Sequence, residues 1–79
     1  MNGQTPIPNQ VLTIEFDRED DGRWIAEVPE LPGVLVYGDS REEAMWRVQA
    51  LAYRVIADRI EHERNTTNSV TFKPREHVA

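Results

Sequence analysis

Apolar and polar residues alternate along three short stretches in the first half of the chain. In the first stretch, Leu12, Ile14 and Phe16 are separated by polar residues, and this period of two predicts a strand with one buried face. An Asp-Gly pair at residues 21–22 predicts a tight hairpin between the first two strands. We therefore expect an antiparallel meander of three strands. Its strands are predicted at about residues 11–17, 23–28 and 33–37.

The second half of the chain begins with a helix signal. Ser40 followed three residues later by Glu43 forms a capping box, and helix-forming residues continue to about Arg64 without Gly or Pro. A helix of this length exceeds the strands, so it should extend past the sheet. A short fourth strand is predicted at about residues 69–72. Apolar residues at helical spacing predict the side that packs on the sheet: Ala44, Val48, Leu51 and Val55, widened by Met45, Ala52 and Ile56.

These elements predict an α+β domain with the order β-β-β-α-β. The domain is expected to cover residues 11–73, between a flexible N-terminal arm at residues 1–10 and a polar C-terminal tail at residues 74–79. A right-handed return through the helix would place the fourth strand parallel to the first, in the sheet order 3-2-1-4. Exchange of the fourth strand between two subunits is an alternative that the sequence leaves open.

A second apolar strip on the predicted helix indicates contact with another chain. Trp46, Tyr53 and Ile60 recur at sevenfold spacing on the side opposite the sheet. Because a helix that covers one face of a sheet needs only one apolar side, we expect the second strip to be a self-association surface of a homodimer or homotetramer. In the alternative interpretation, the aromatic side chains lie flat on the surface and expose their polar atoms to water.

The composition narrows the class of protein. The 79 residues suffice for one domain with a thin core, and the absence of cysteine fits a cytoplasmic protein. No stretch approaches the ~20 apolar residues of a membrane helix, and no signal-peptide pattern is visible at the N-terminus. The net charge of −5, from 14 acidic and 9 basic side chains, argues against non-specific binding of nucleic acid and favours a basic protein partner.

The candidate chemistry in the sequence does not indicate an enzyme. The acidic segment at residues 17–22 fits the start of a calcium loop, but the twelfth position is Val28 instead of the required glutamate. Glu15 and Glu27 are expected near each other on the sheet, yet a two-metal site needs a third carboxylate that is not evident. Neither histidine has a nucleophile or an acid suggested nearby. We therefore predict no catalytic residue, no metal site and no cofactor.

A longer run of residues resembles the HicB-like antitoxin family. The sequences of its members contain, in this order, a strand, an acidic-Gly turn and an aromatic residue with small apolar neighbours. Pro-Glu-Leu-Pro-Gly, Gly-Asp-Ser/Thr and a helix that begins with Glu-Glu-Ala follow. The order and spacing of these pieces are matched over about residues 11–64, with Val34 where members often have a cysteine. The matching pieces are Glu15-Phe16-Asp17, Asp21-Gly22-Arg23-Trp24-Ile25-Ala26, Val28-Pro29-Glu30-Leu31-Pro32-Gly33, Gly38-Asp39-Ser40 and Glu42-Glu43-Ala44.

The resemblance implies a partial RNase-H-like fold and an antitoxin role. HicB domains pair with HicA, a small basic ribonuclease toxin, and block its RNA-cleaving site. Full-length members also carry a C-terminal DNA-binding domain, which is not expected here because only seven residues follow Phe72. The leading hypothesis is therefore the protein-binding antitoxin of a type II toxin–antitoxin system. The alternative is an orphan homo-oligomeric domain with a structural or regulatory role and no toxin partner.

The surfaces expected to contact such a partner are those that carry acidic side chains, because the toxin is basic. Acidic groups would attract a basic toxin and select it, while apolar contacts would supply most of the affinity. Two regions carry suitable groups, the open face of the sheet and the acidic turn. The predicted contact residues are Glu15, Glu27 and Tyr37 on the open face and Glu19, Asp20 and Asp21 in the turn.

Overall fold

The computed structural model describes residues 9–76 and confirms the predicted α+β class and element order. The elements are β1 (Gln10–Arg18), β2 (Trp24–Glu27), β3 (Leu35–Gly38), α1 (Arg41–Glu63) and β4 (Val70–Glu76). The four strands form one mixed sheet in the order β3-β2-β1-β4. β1 pairs antiparallel with β2 and parallel with β4, as a right-handed return through the helix predicts.

The core lies between α1 and one face of the sheet. Leu12, Ile14 and Phe16 all point toward the helix and are buried, which confirms the alternation predicted for β1. Ala26 and Val28 continue this buried face along β2 and the residues after it. The opposite face of the sheet is not covered by any element of the described chain.

The helix buries a slightly different side from the predicted one. Ala44, Val48, Ala52 and Ile56 are buried, whereas Leu51 is only half-buried beside them. A step of four residues exceeds one 3.6-residue turn, so this row winds around the helix axis along its length. The helix therefore turns a different flank to the sheet at its end than at its start. In residues 9–76, no helix is both long and apolar enough to span a membrane.

The helix begins at the predicted capping box. The Glu43 N–H donates to Ser40 Oγ at 3.0 Å, and the Asp39 N–H donates to Glu43 Oε1 at 2.6 Å. Gly38, the last residue of β3, is buried directly beneath this first turn. The strand and the helix are thus joined by a junction of only two residues.

The predicted chain ends differ from the structure. Residues 1–8 of the predicted arm and 77–79 of the predicted tail lie outside the described residues. Gln10, however, belongs to β1, and β4 continues through Pro74 to Glu76. The sequence predicts an earlier end for this strand, at about Phe72, because the residues that follow read as a polar tail.

The parallel pairing explains why β4 tolerates its proline. The Gln10 N–H donates to Ser69 O at 2.8 Å, so residues 69, 71, 73 and 75 turn their backbone groups toward β1. Pro74 belongs to the other set, and its missing N–H lies on the outer edge of the sheet. No ladder hydrogen bond is lost there, and the strand passes through the proline.

Candidate partner-binding surface

The uncovered face of the sheet carries three of the predicted contact residues. Glu15 and Glu27 lie directly opposite each other in the β1–β2 register, and Tyr37 lies on β3 two strands from β1. All three point away from α1, as the period of two predicts. We call this surface the open face. Its described side chains are Val11, Thr13, Glu15, Asp17, Arg23, Ile25, Glu27, Leu35, Tyr37, Thr71, Lys73 and Arg75.

The open face is not acidic overall. Arg75 on β4 forms an ion pair with Glu15, and it lies there because the strand extends beyond its predicted end. With Lys73 and Arg23, three basic side chains stand against the three carboxylates of this face. A shallow cleft of about 360 Å³ lies over Glu15, Glu27 and Leu35. The prediction from charge considered only the acidic side chains, which are half of these six charged groups.

An apolar patch occupies the β2–β3 side of the open face. Ile25 and Tyr37 are direct partners in the β2–β3 register, and Leu35 neighbours both. Leu35 is 42% exposed and Tyr37 is 40% exposed on β3, which is an edge strand of the sheet. Sequence reasoning on charge missed Ile25 and Leu35. The alternation along β2 and β3 was the signal that places them beside Tyr37.

The acidic turn is a hairpin connection, as predicted. The Gly22 N–H donates to Glu19 O at 2.9 Å, and Gly22 has a positive φ of 92°, the geometry of a type I turn followed by a left-handed residue. Asp20 and Asp21 are exposed at its tip. The Arg23 N–H donates to Asp21 Oδ1 at 3.0 Å, and this bond is the main cause of the lowered pKa of Asp21.

Arg23 joins this turn to the open face. Its Nε lies 2.9 Å from Asp21 Oδ2, and its guanidinium carbon lies 4.5 Å from the centre of the Tyr37 ring. The structure thus brings Asp21 and Tyr37 to one end of the sheet through a residue that sequence reasoning did not select. Glu15 and Glu27 lie further along the same face, toward the other end of β2.

The predicted self-association residues do not form one continuous strip. Trp46 is 58% exposed and lies near β3, with Val36 and Leu51 as neighbours. Tyr53 is 50% exposed, but its ring packs edge-on against Phe72 of β4 at a centroid distance of 5.4 Å. The third residue of the strip, Ile60, is half-buried against the core. Self-association through these residues stays a prediction.

Ligand groups for a metal ion are dispersed. Within residues 9–76, no three His, Cys, Asp or Glu side chains stand close enough together to hold one. Asp17 and Asp21, which the calcium-loop pattern pairs, are engaged with backbone N–H groups of the turn.

Comparisons with protein-family models, curated proteins and solved structures find no match to this chain. The resemblance to HicB-like antitoxins therefore stays a prediction that rests on the residues quoted above.

Proposed function

We propose that this chain is a protein-binding module that docks another polypeptide on the open face of its sheet. The observation that carries the proposal is the apolar patch of exposed Leu35 and Tyr37 beside half-buried Ile25 on an uncovered sheet face. Charged side chains surround this patch on the β1 and β4 side. An apolar centre with a polar rim is the usual composition of a protein interface.

The resemblance to HicB-like antitoxins supplies the class of partner. We propose a small basic ribonuclease toxin, held by a domain with a partial RNase-H-like fold. The element order β-β-β-α-β is compatible with that fold. In this proposal, the patch and the adjoining cleft cover the RNA-cleaving surface of the toxin and exclude its substrate by occupying the same space.

The electrostatic part of this mechanism depends on groups that have no basic partner in the chain. Asp20 and Glu27 are exposed and form no ion pair with any described residue. They can receive basic side chains of the toxin without first breaking an internal contact. Glu15 and Asp21 already have arginine partners, so they contribute less to the attraction.

A second candidate function is an orphan homo-oligomer. The observation that favours it is the exposure of Trp46 and Tyr53 on α1, which a solitary domain would cover with a second copy. This candidate needs no toxin. Sedimentation equilibrium of the isolated chain distinguishes the two candidate functions. A monomer would rule out the homo-oligomer, because no second copy would then cover the exposed helix residues.

The test of the first candidate begins with a search for a small basic protein encoded next to this chain and uses that protein. Co-purification and suppression of its RNA cleavage are expected for the unmodified chain, and a Leu35→Glu, Tyr37→Glu double variant should lose both. Trp46→Glu is the matched control, because it adds a carboxylate on the helix side, away from the open face. If no such neighbouring protein is encoded, or if the double variant still inhibits cleavage, the proposal is wrong.

A further inference from the structure

A groove separates the outer edge of β3 from the middle of α1. It has a volume of about 370 Å³, and its walls are Val36, Trp46, Ala50 and Leu51. Two basic residues, Arg47 and Arg54, also line it, and no acidic side chain does. This composition is unusual in a chain of net charge −5. The groove lies on the helix side of the sheet and shares no side chain with the open face.

The floor of the groove is a strand edge that can accept another strand. The Val28 N–H donates to Val34 O at 3.0 Å, and in an antiparallel ladder alternate residues face the partner strand. Leu35 and Tyr37 therefore turn their N–H groups away from β2, toward solvent. Unpaired edge groups of this kind bind extended peptides in many recognition domains. One carbonyl on this edge, Tyr37 O, accepts a hydrogen bond from Arg47 Nη1 at 3.1 Å.

The two arginines indicate the charge of the occupant. The guanidinium group of Arg54 forms no ion pair with any described residue. Arg47 forms an ion pair with Glu43 at 3.4 Å and donates to Tyr37 O, and its guanidinium carbon lies 5.6 Å from the centre of the Trp46 ring. Exposed guanidinium groups over an apolar groove complement a segment that carries both carboxylates and an apolar side chain.

We propose that this groove binds an extended acidic segment of another protein, paired antiparallel with β3. The carboxylates of the segment contact Arg47 and Arg54, and an apolar side chain between them packs on Trp46. The proposal is independent of the function proposed for the open face, because its arginines lie on the other side of the sheet.

Geometry sets the spacing of the acidic residues. Arg47 and Arg54 are seven residues apart on a helix, or about 10 Å at 1.5 Å per residue. In an extended segment, residues i and i+4 share a face and lie about 13 Å apart at 3.3 Å per residue. The two distances differ by about 3 Å, which the flexible arginine side chains can span. The sequence Glu-Thr-Leu-Thr-Glu meets this requirement. Its threonines pair with Leu35 and Tyr37, and their N–H groups face β3.

A second copy of this chain fits the groove less well. Pairing of β3 with β3 about a twofold axis would place both copies of Arg47 and Arg54 along one seam. Like charges at such a seam repel each other. The chemistry of the groove therefore favours an acidic segment of a different protein.

The test is fluorescence anisotropy with a labelled, end-blocked Glu-Thr-Leu-Thr-Glu peptide and the full chain. Saturable binding is expected, with Arg47→Ala and Arg54→Ala each weakening it about threefold and the double variant about tenfold, as exposed charge pairs do. Arg59→Ala is the matched control, since this exposed arginine lies on the same helix outside the groove. Proline at both threonine positions should weaken binding at least about tenfold by removing the ladder donors.

Three results would overturn the proposal. In the first, the Lys-Thr-Leu-Thr-Lys peptide binds as well as the acidic one. In the second, the Arg47→Ala, Arg54→Ala double variant binds the acidic peptide like the unmodified chain. In the third, the peptide with proline at both threonine positions binds like the unmodified peptide, which would show that the edge of β3 forms no ladder with it.

Discussion

At the scale of single residues, Glu30 shows how a side chain replaces a missing strand. Its Oε1 accepts from the Thr13 N–H at 3.0 Å, and its Oε2 accepts from the Thr13 hydroxyl at 2.8 Å. By extension of the β1–β2 register, Thr13 lies opposite Pro29, two residues beyond the end of β2. The carboxylate of Glu30 thus satisfies a donor on β1 at the point where β2 has ended.

These hydrogen bonds make the contribution of Glu30 depend on pH. Partial burial raises the pKa of Glu30, but the hydrogen bonds from the Thr13 hydroxyl and N–H outweigh it, so that the pKa lies below its usual 4.5. A group with a lowered folded-state pKa stabilises the fold above its unfolded pKa, and this stabilisation is lost as the pH falls through the folded value. The charged form is therefore the one that supports the fold.

We predict that Glu30→Gln lowers the free energy of unfolding by about 1 kcal/mol at pH 7, the usual size of a partly exposed charge-assisted hydrogen bond. The deficit should shrink as the pH falls below 4.5, because Glu30 is protonated there and the charged hydrogen bond is lost. Urea unfolding at pH 7 and at pH 3 measures both values. Glu27→Gln is the control, because this exposed glutamate forms no hydrogen bond with a described residue. A deficit that is equal at both pH values would contradict the assignment.

At the scale of elements, the correct predictions concern features that short segments of the sequence determine. The alternation in β1, the hairpin turn and the capping box each depend on residues close together in the chain, and the structure confirms them. The end of β4 depends on which edge of the strand Pro74 faces, and this is known only once β4 is paired with β1. The buried side of α1 similarly depends on where the sheet lies beneath the helix.

The same distinction applies to the candidate site. Alternation placed Glu15, Glu27 and Tyr37 on the open face, because strand periodicity is local. Arg75 was not predicted to lie beside Glu15, since that contact joins residues 60 positions apart and requires the longer β4. The balance of charge on the open face is therefore a property of the fold that no short segment contains.

The junction of β3 and α1 leaves no room for an added methyl group at Gly38. A Cβ on Gly38 would lie 2.6 Å from the backbone N of Ala44 and 3.0 Å from its Cα. Both atoms belong to the first turn of α1, which Ser40 holds in place by its cap. A methyl group here must therefore displace backbone.

We predict that Gly38→Ala lowers the free energy of unfolding by about 2–3 kcal/mol, at the upper end of the cost of overpacking. Asp39→Ala is the control, because that neighbouring side chain is exposed and its removal should change stability by less than about 0.5 kcal/mol. Thermal unfolding followed by circular dichroism measures both variants. Equal stability of the two would show that the junction relaxes without cost.

At the scale of the whole molecule, the residues that resemble HicB mostly have structural roles. Leu31 is 2% exposed and packs in the core, and its neighbour Glu30 completes β1. Gly38 allows α1 to approach β3, and Ser40 caps the helix. These matching residues therefore hold the fold together, whereas Leu35 and Tyr37, two of the residues proposed to contact a partner, lie between the matching pieces.

This separation predicts opposite effects for two identical substitutions four residues apart. Leu31→Ala removes a buried side chain and should cost about 2–4 kcal/mol, a large part of the roughly 4–12 kcal/mol expected for a domain of this length. Leu35→Ala truncates a side chain that is 42% exposed and should change stability by about 0.5 kcal/mol or less, while it weakens binding at the open face. Urea unfolding of both variants measures the difference. If Leu35→Ala proved as destabilising as Leu31→Ala, the open face would be a second structural surface, and its apolar patch would no longer indicate a partner.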